Sequence, residues 1–90
     1  MTQYKEWEYE DTDVIEVEEH QLMVFNDDFN TFEFVIETLL KVCEHTTEQA
    51  EQCTWIIHYK GKCIVKEGSF DKLKAMRNAI CSRGISAEIL

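Results

Sequence analysis

The chain has 90 residues, of which 44% are hydrophobic and 11% aromatic. A chain of this size can close one hydrophobic core and has no room for a second, so we expect one soluble globular domain. There are 18 acidic and 9 basic residues, and the formal net charge of -9 repels phosphate backbones and anionic lipid headgroups. The charge therefore argues against nucleic acid or a membrane as the main partner and favours a cationic partner group.

Neither a membrane span nor an export signal is visible in the sequence. No apolar stretch reaches the roughly 18 residues that a transmembrane helix needs, and the first residues are acidic, unlike those of signal peptides. We therefore expect a cytoplasmic protein. The four cysteines lack the close pairing of a zinc site and the density of a disulfide scaffold. We interpret them as reduced thiols, mostly small core residues, and expect neither a metal nor a cofactor: Cys43, Cys53, Cys63 and Cys81.

Residues 1–20 carry a dense acidic run with little apolar periodicity, which predicts a flexible acidic extension ahead of a core domain of residues 21–90. From Gln21 the letters LMVF predict a short buried strand. The turn formers Asn26, Asp27 and Asp28 end it.

The clearest periodic signal is a helix with one apolar face, formed by Phe32, Val35, Ile36, Leu39, Leu40 and Cys43. Asn30, with Glu33 three residues later, predicts its N-terminal cap. Thr46 and Gln49 repeat that arrangement for a second helix, which we expect to end at Gly61.

Residues 62–66 predict a second strand, and Ser69 can cap a third helix that ends near Gly84. Ile85, Ala87 and Ile89 alternate with polar residues, as in a half-buried third strand. The element order is β-α-α-β-α-β. Because each sheet and helix must bury its apolar side, this order predicts an α+β fold in which three helices cover a three-stranded antiparallel sheet.

Two polar features could carry chemistry. The turn formers that follow the first strand are, taken alone, an ordinary turn. His58 follows Ile57 on the apolar stripe of the second helix, where a neutral imidazole could accept a hydrogen bond at the rim of a pocket. Taken alone, it is an ordinary histidine, either at the surface or with its hydrogen bonds satisfied within the protein.

Together, the two features indicate a function, because the chain resembles the ClpS adaptor family in two stretches. The first is LMVFNDDFNTFEFVIETLLKV, and the second, after an acidic, glutamine-rich helix, is IIHYKGK. The family typically has VNDD and an aromatic residue, then a short turn and MEFV, and later VHxxG. Here these motifs stand at residues 25–29, 32–35 and 57–61. The likeness runs from about residue 22 to the C-terminus and weakens after residue 68. Two separated motif regions, residues 25–35 and 57–61, at compatible spacing in the same element order make a specific signal.

The resemblance implies a non-enzymatic adaptor that holds proteins by a free α-amino group and a bulky first residue, Leu, Phe, Tyr or Trp. It would deliver these N-degron substrates to a Clp protease. Three residues would bind the amine: Asn26, Asp27 and His58. An ammonium group has three donors, which suit a carboxylate, an amide oxygen and an imidazole nitrogen. The resemblance also implies a hydrophobic pocket of Phe32, Val35, Thr54, Ile57 and Ile85, with Asp28, Asn30 and Thr31 at its rim.

The sequence departs from the family pattern at several of these positions. Asn30 and Thr31 stand where Thr and Pro are usual, and Phe32 and Thr54 stand where Met is frequent. We expect Phe32 to disfavour β-branched first residues and the hydroxyl of Thr54 to suit Tyr or Trp.

The family docks on its unfoldase through an acidic and a basic residue around the third helix. Here Asp71 matches the acid, while Met76 stands at the position of the lysine. Lys72 or Lys74 could replace that lysine from a neighbouring position. The resemblance implies contact with the N-terminal domain of an unfoldase, and either a ClpA-like or a ClpC-like partner is compatible with the sequence. The aromatic residues of the tail could feed the unfoldase during hand-over, and a merely solvated tail is equally compatible with the sequence.

Two other classes of function stay open at this point. An enzyme could use a cysteine with His58, or the carboxylates of Asp27 and Asp28, although no activating third residue or glycine-rich phosphate loop is visible. An interaction module related in fold to the C-terminal domain of the ribosomal stalk protein would not read N-termini. A pocket for one peptide end needs no second subunit, so we expect a monomer.

Overall fold

The structure is a computed structural model that describes residues 19–90. Its elements, in chain order, are β1 (His20–Phe25), α1 (Phe32–Val42), α2 (Thr47–Lys60), β2 (Lys62–Gly68), α3 (Phe70–Ser82) and β3 (Ala87–Ile89). The predicted α+β class and the β-α-α-β-α-β order are confirmed. Residues 1–18 of the predicted acidic extension lie outside the described residues. Strand β1 begins at His20, one residue before the predicted start.

The three strands form one antiparallel sheet in the order β2-β1-β3. The central strand pairs with both neighbours and has an irregular register between Leu22 and Met23 on the β2 side. Leu22 and Val24 are 0% and 1% exposed, while Met23 between them is half-buried. This alternation is that of a strand with one face on the core.

The helices cover the buried face of the sheet, and every helix and strand contributes to one hydrophobic core. None of the helices in residues 19–90 is long and apolar enough to cross a membrane. The buried hydrophobic residues are Leu22, Val24, Val35, Leu39, Cys43, Ala50, Ile57, Val65, Leu73, Ile80, Ile85 and Ala87.

The predicted cap of α1 at Asn30 is wrong, because the N-cap is Thr31. The Thr31 hydroxyl accepts the backbone N–H of Phe34 at 3.0 Å. The helix begins one residue later than predicted, and the Nδ2 group of Asn30 donates instead to Asp27 and to the carbonyl of Gly84. The bond from Asn30 to Gly84 joins residues far apart in the chain, and a capping pattern read along the sequence does not reveal it.

The predicted ends of the other helices agree with the structure. Thr46 and Gln49 form a reciprocal capping box at the start of α2, with bonds of 3.0 and 3.1 Å. Gly61 ends α2 at φ +92°, a left-handed conformation that glycine adopts without a Cβ clash. Ser69 caps α3, and Gly84, at φ +89°, follows its C-cap, Arg83.

The cysteines differ in their surroundings. Cys43 is buried and Cys53 and Cys63 are half-buried, as expected of core residues, but Cys81 is exposed, so the core prediction is wrong there. Burial raises the pKa of Cys43 to about 11 and that of Cys63 to about 12. Both thiols therefore stay protonated at neutral pH, unlike an activated nucleophile.

Candidate functional site

The two sequence motifs meet where β1 and β2 pair. Phe25, the last residue of β1, lies opposite Lys62, the first residue of β2. Directly beyond this pair, the backbone N–H of Asn26 donates to the carbonyl of Gly61 at 2.9 Å. The turn after β1 is thereby held against the end of α2, three residues after His58. Strand pairing is thus the physical reason why motifs far apart in the chain lie next to each other.

Asp27 organises the turn between β1 and α1. Its Oδ1 accepts the backbone N–H groups of Phe29 at 2.9 Å and Asn30 at 2.8 Å, and its Oδ2 accepts Nδ2 of Asn30 at 2.6 Å. These bonds, led by the one from the Asn30 backbone, lower the pKa of Asp27 below 3.8, against the opposing effect of burial. Asp27 is therefore ionised at neutral pH. A carboxylate has about four acceptor sites, so capacity remains for a cationic ligand.

Asn30 joins this turn to the loop between α3 and β3. Its Nδ2 group donates both to Asp27 and, at 3.0 Å, to the carbonyl of Gly84, the residue before Ile85. Arg83 in the same loop is fixed on α1, since its Nε donates to Thr38 Oγ1 at 2.8 Å and its guanidinium lies 4.7 Å from the Phe34 ring centre. Sequence reasoning placed Asn30 at the pocket rim and did not predict this link.

Replacing Asn30 with Ala should lower the free energy of unfolding by about 1–3 kcal/mol, because two side-chain hydrogen bonds are lost, one of them to a charged group. The difference should shrink as the pH falls below 3.8, since Asp27 has a lowered pKa and the stability that its ionised form contributes is lost on protonation. Urea unfolding at several pH values would measure both effects.

Asn78→Ala is the matched control, because Asn78 is exposed on α3. It should change the free energy of unfolding by less than about 0.5 kcal/mol. If Asn30→Ala were as stable as this control, the link between the two loops would have no energetic role.

The predicted pocket residues lie in or beside the core. Val35, Thr54, Ile57 and Ile85 are 8%, 2%, 2% and 3% exposed, and Phe32 is half-buried. The hydroxyl of Thr54 donates to the Ala50 carbonyl at 2.7 Å, within α2. Its proton is therefore already used, and only its acceptor capacity remains for a ligand hydroxyl or indole N–H. Four of the five predicted pocket residues are therefore part of the buried core.

His58 is exposed and belongs to a cluster of four rings, which we call the aromatic cluster: Phe32, Trp55, His58 and Tyr59. The Phe32 ring centre lies 4.7 Å from that of Trp55 and 6.4 Å from that of His58. Trp55 and Tyr59 stack in parallel at 5.1 Å. Sequence reasoning missed Trp55 and Tyr59, although their positions three and four residues from others of the cluster were a usable signal.

The remaining predicted residues are at the surface. Asp28 and Thr31 at the rim are exposed, as are Asp71, Lys72 and Lys74 in the first half of α3, where Met76 is half-buried. Within residues 19–90, no group of three His, Cys, Asp or Glu side chains is placed to hold a metal ion. A surface depression of about 440 Å³ lies along the first half of α2, and none of the predicted pocket residues lines it. Its lining is Thr46, Glu48, Gln49, Glu51, Gln52 and Trp55.

Comparison with known proteins identifies the family. The family described as ATP-dependent Clp protease adaptor protein ClpS matches residues 16–87. A ClpS adapter protein of Thermosynechococcus vestitus is 31% identical over 68 residues, which cover 74% of this chain and 72% of that protein. One from an Enterobacter species is 40% identical over 45 residues, covering 50% of this chain but only 42% of that protein.

A solved structure shares the fold. Agrobacterium tumefaciens ClpS2, in complex with L-phenylalaninamide, superposes with a TM-score of 0.72 at 19% identity, covering 83% of this chain and all of that one. At this identity the likeness concerns the fold alone. The assignment to a family rests on the family match, which spans most of the chain, and on the Thermosynechococcus relative. This chain therefore belongs to the ClpS family of ATP-dependent Clp protease adaptor proteins.

Proposed function

We propose that this chain is a cytoplasmic adaptor that binds N-degron substrates by a free α-amino group and a bulky hydrophobic first residue and delivers them to a Clp unfoldase. The observation that carries the proposal is the ionised, half-buried carboxylate of Asp27, held by three hydrogen bonds at the junction of the two motifs. A fixed carboxylate beside an apolar core suits a ligand that joins a cation to a hydrophobic side chain.

In this proposal, Asn26, Asp27 and His58 receive the substrate ammonium. Asp27 supplies the charge, and its bonds to the turn mean that little rotational freedom is lost when the ligand binds. Asn26 and His58 are both exposed, so their acceptor atoms can reach a ligand from solvent. Charge-assisted hydrogen bonds contribute about 1.5–3 kcal/mol each, so the amine should supply a large share of the affinity.

The first side chain would enter beside Phe32, the least buried of the five predicted pocket residues. In this proposal the first side chain also packs against the other four residues, which are almost fully buried: Val35, Thr54, Ile57 and Ile85. Burying a Leu or Phe side chain contributes roughly 1.5–3 kcal/mol, enough to prefer bulky residues over alanine. Weak discrimination among Leu, Tyr and Trp would contradict our expectation about Phe32 and Thr54.

For delivery, we propose that α3 contacts the N-terminal domain of a ClpA- or ClpC-like unfoldase. Asp71, Lys72 and Lys74 are exposed there and offer both charge signs. This surface is distinct from the proposed amine site, which lies at the ends of β1 and α2. A monomer could therefore bind substrate and unfoldase together.

A second candidate is an interaction module that does not read N-termini. The burial of four of the five predicted pocket residues in the core favours it, since core packing alone accounts for their positions. The exposed rings of α2 would then be its binding surface. The two candidates differ in one property, which is dependence on a free amino terminus.

Fluorescence anisotropy distinguishes the two candidate functions. The labelled peptides begin with Leu, Phe, Trp or Ala, and each has either a free or an acetylated amino terminus. The adaptor should bind free peptides with bulky first residues at micromolar or tighter Kd, about -8 kcal/mol, and lose at least about tenfold on acetylation. Equal binding of acetylated peptides would support the interaction module and contradict the adaptor.

A further inference from the structure

Two half-buried thiols, those of Cys53 and Cys63, meet where α2 packs on β2. Cys53 lies on the core side of α2, since Ala50 and Ile57, three residues before it and four after it, are 0% and 2% exposed. Cys63 lies on the core side of β2, since its pairing partner on β1 is the buried Val24. The two side chains therefore point into the same interface.

The two thiols also contact each other. A side-chain hydrogen bond joins Cys63 to Cys53. Cys63 is further held by the carbonyl oxygen of Ile64, which lies 3.3 Å from its Sγ. A disulfide requires two cysteine side chains that face each other at short range, and this pair meets that requirement from two packed elements.

The surroundings of Cys63 indicate that it is not the first of the two to react. Burial, and after it the neighbouring Cys53, raise the pKa of Cys63 to about 12, so its thiol is protonated at neutral pH. A protonated thiol beside a second cysteine suits a resolving cysteine, which closes the disulfide after its partner has been oxidised. Cys53 is then the thiol that is oxidised first.

The other two cysteines are less suitable partners for Cys53. Cys43 is 0% exposed, and burial is the main reason why its pKa is raised to about 11. Cys81 is exposed on α3, and its thiol donates to the carbonyl of Ala87 on β3 at 3.8 Å. In the sheet, β1 separates β3 from β2, the strand that carries Cys63. The fold thus favours one pairing among the four cysteines.

We propose that Cys53 and Cys63 form a reversible disulfide when the protein is exposed to hydrogen peroxide. The Cys53 sulfur attacks one peroxide oxygen, the O–O bond breaks, and the products are a sulfenic acid and one water molecule. The Cys63 sulfur then attacks the Cys53 sulfur, so that the S–S bond forms as the S–O bond breaks. The proton of Cys63 leaves with the hydroxyl group as a second water. Each sulfur is oxidised by one electron, and the peroxide is reduced by two.

The test is to treat the reduced full chain with hydrogen peroxide and to map its disulfides by digestion without reductant. Trypsin and a glutamate-specific protease cleave after Glu51 and Lys60, among other positions, so that Cys43, Cys53 and Cys63 fall on three different peptides. Mass spectrometry should find the Cys53 and Cys63 peptides linked, about 2 Da lighter than their sum because two hydrogen atoms are lost. Dithiothreitol should release both peptides with free thiols.

The unfolded chain provides a control for proximity along the sequence. Cys43 and Cys63 are each ten residues from Cys53, so the cost of closing the loop is the same for both pairings. Peroxide treatment in urea should therefore yield both disulfides in comparable amounts. In the folded chain, the pairing of Cys53 with Cys63 should exceed the other at least about tenfold.

Two variants complete the test. Cys81→Ser removes the exposed thiol, which peroxide can oxidise independently, and should form the Cys53–Cys63 disulfide to the same extent as the parent chain. Cys53→Ser should leave Cys63 reduced after the same treatment. If the folded parent chain kept both cysteines as free thiols, or if Cys53 were linked mainly to Cys43 or Cys81, the inference would be overturned.

Discussion

Replacing Asp27 with Asn should weaken the binding of peptides with a free bulky terminus by about 10- to 100-fold, because one charge-assisted bond of about 1.5–3 kcal/mol is lost. An asparagine Oδ1 can still accept the backbone N–H groups of Phe29 and Asn30, so the turn should persist. The substitution removes the charge and the Oδ2 acceptor for Asn30. Anisotropy titration with a free Leu-initiated peptide would measure the effect.

Two variants isolate the role of the charge. Asn30→Ala removes the same side-chain bond but leaves the carboxylate, and Glu88→Gln removes one charge from the exposed surface of β3. Both should weaken binding much less than Asp27→Asn. If Asp27→Asn bound like Glu88→Gln, the carboxylate would have no direct part in amine recognition.

Leu22→Ala should destabilise the fold by about 2–5 kcal/mol, since it leaves a cavity in the core. Leu22 is fully buried on the central strand, where its neighbours across the sheet are Lys66 and Ile89. Such a loss is a large part of the 5–15 kcal/mol that typically stabilises a domain. Urea unfolding followed by far-UV circular dichroism would measure it.

Ile56→Ala removes a comparable side chain from the exposed face of α2, where Ile56 is 41% exposed. It should change the free energy of unfolding by less than about 1 kcal/mol. Equal destabilisation by both substitutions would mean that the core does not depend on the central strand in the way that burial indicates.

The secondary structure was predictable because its signals are local. The period of the apolar residues in α1, the reciprocal side chains of Thr46 and Gln49, and the need for glycine at a left-handed position such as Gly61 all depend on residues close in the chain. The predicted cap of α1 was wrong, because the hydrogen bonds of the predicted residue are not set by its close neighbours in the chain alone. Asn30 has the right residue type for a cap, but Thr31 caps the helix and Asn30 donates to Gly84, 54 residues along the chain.

The candidate site was only partly predictable for the same reason. Resemblance to the ClpS family named Asp27 and His58, and these residues stay proposals until binding is measured. No local pattern predicted the bond from Asn30 to Gly84 or the packing of Phe32 on Trp55. These contacts join residues that are distant in sequence.

The sequence by itself determined the element order, the fold class and the family, because apolar periodicity, caps and motifs are properties of short segments. The tertiary structure alone decided how the predicted site residues are held. The pairing of β1 with β2 sets Asn26 against Gly61, and the packing of α1 on α2 sets Phe32 against Trp55. The tertiary structure also decided that Thr54 and Ile57, two of the predicted pocket residues, are buried in the core. Their burial depends on what the rest of the chain packs against them.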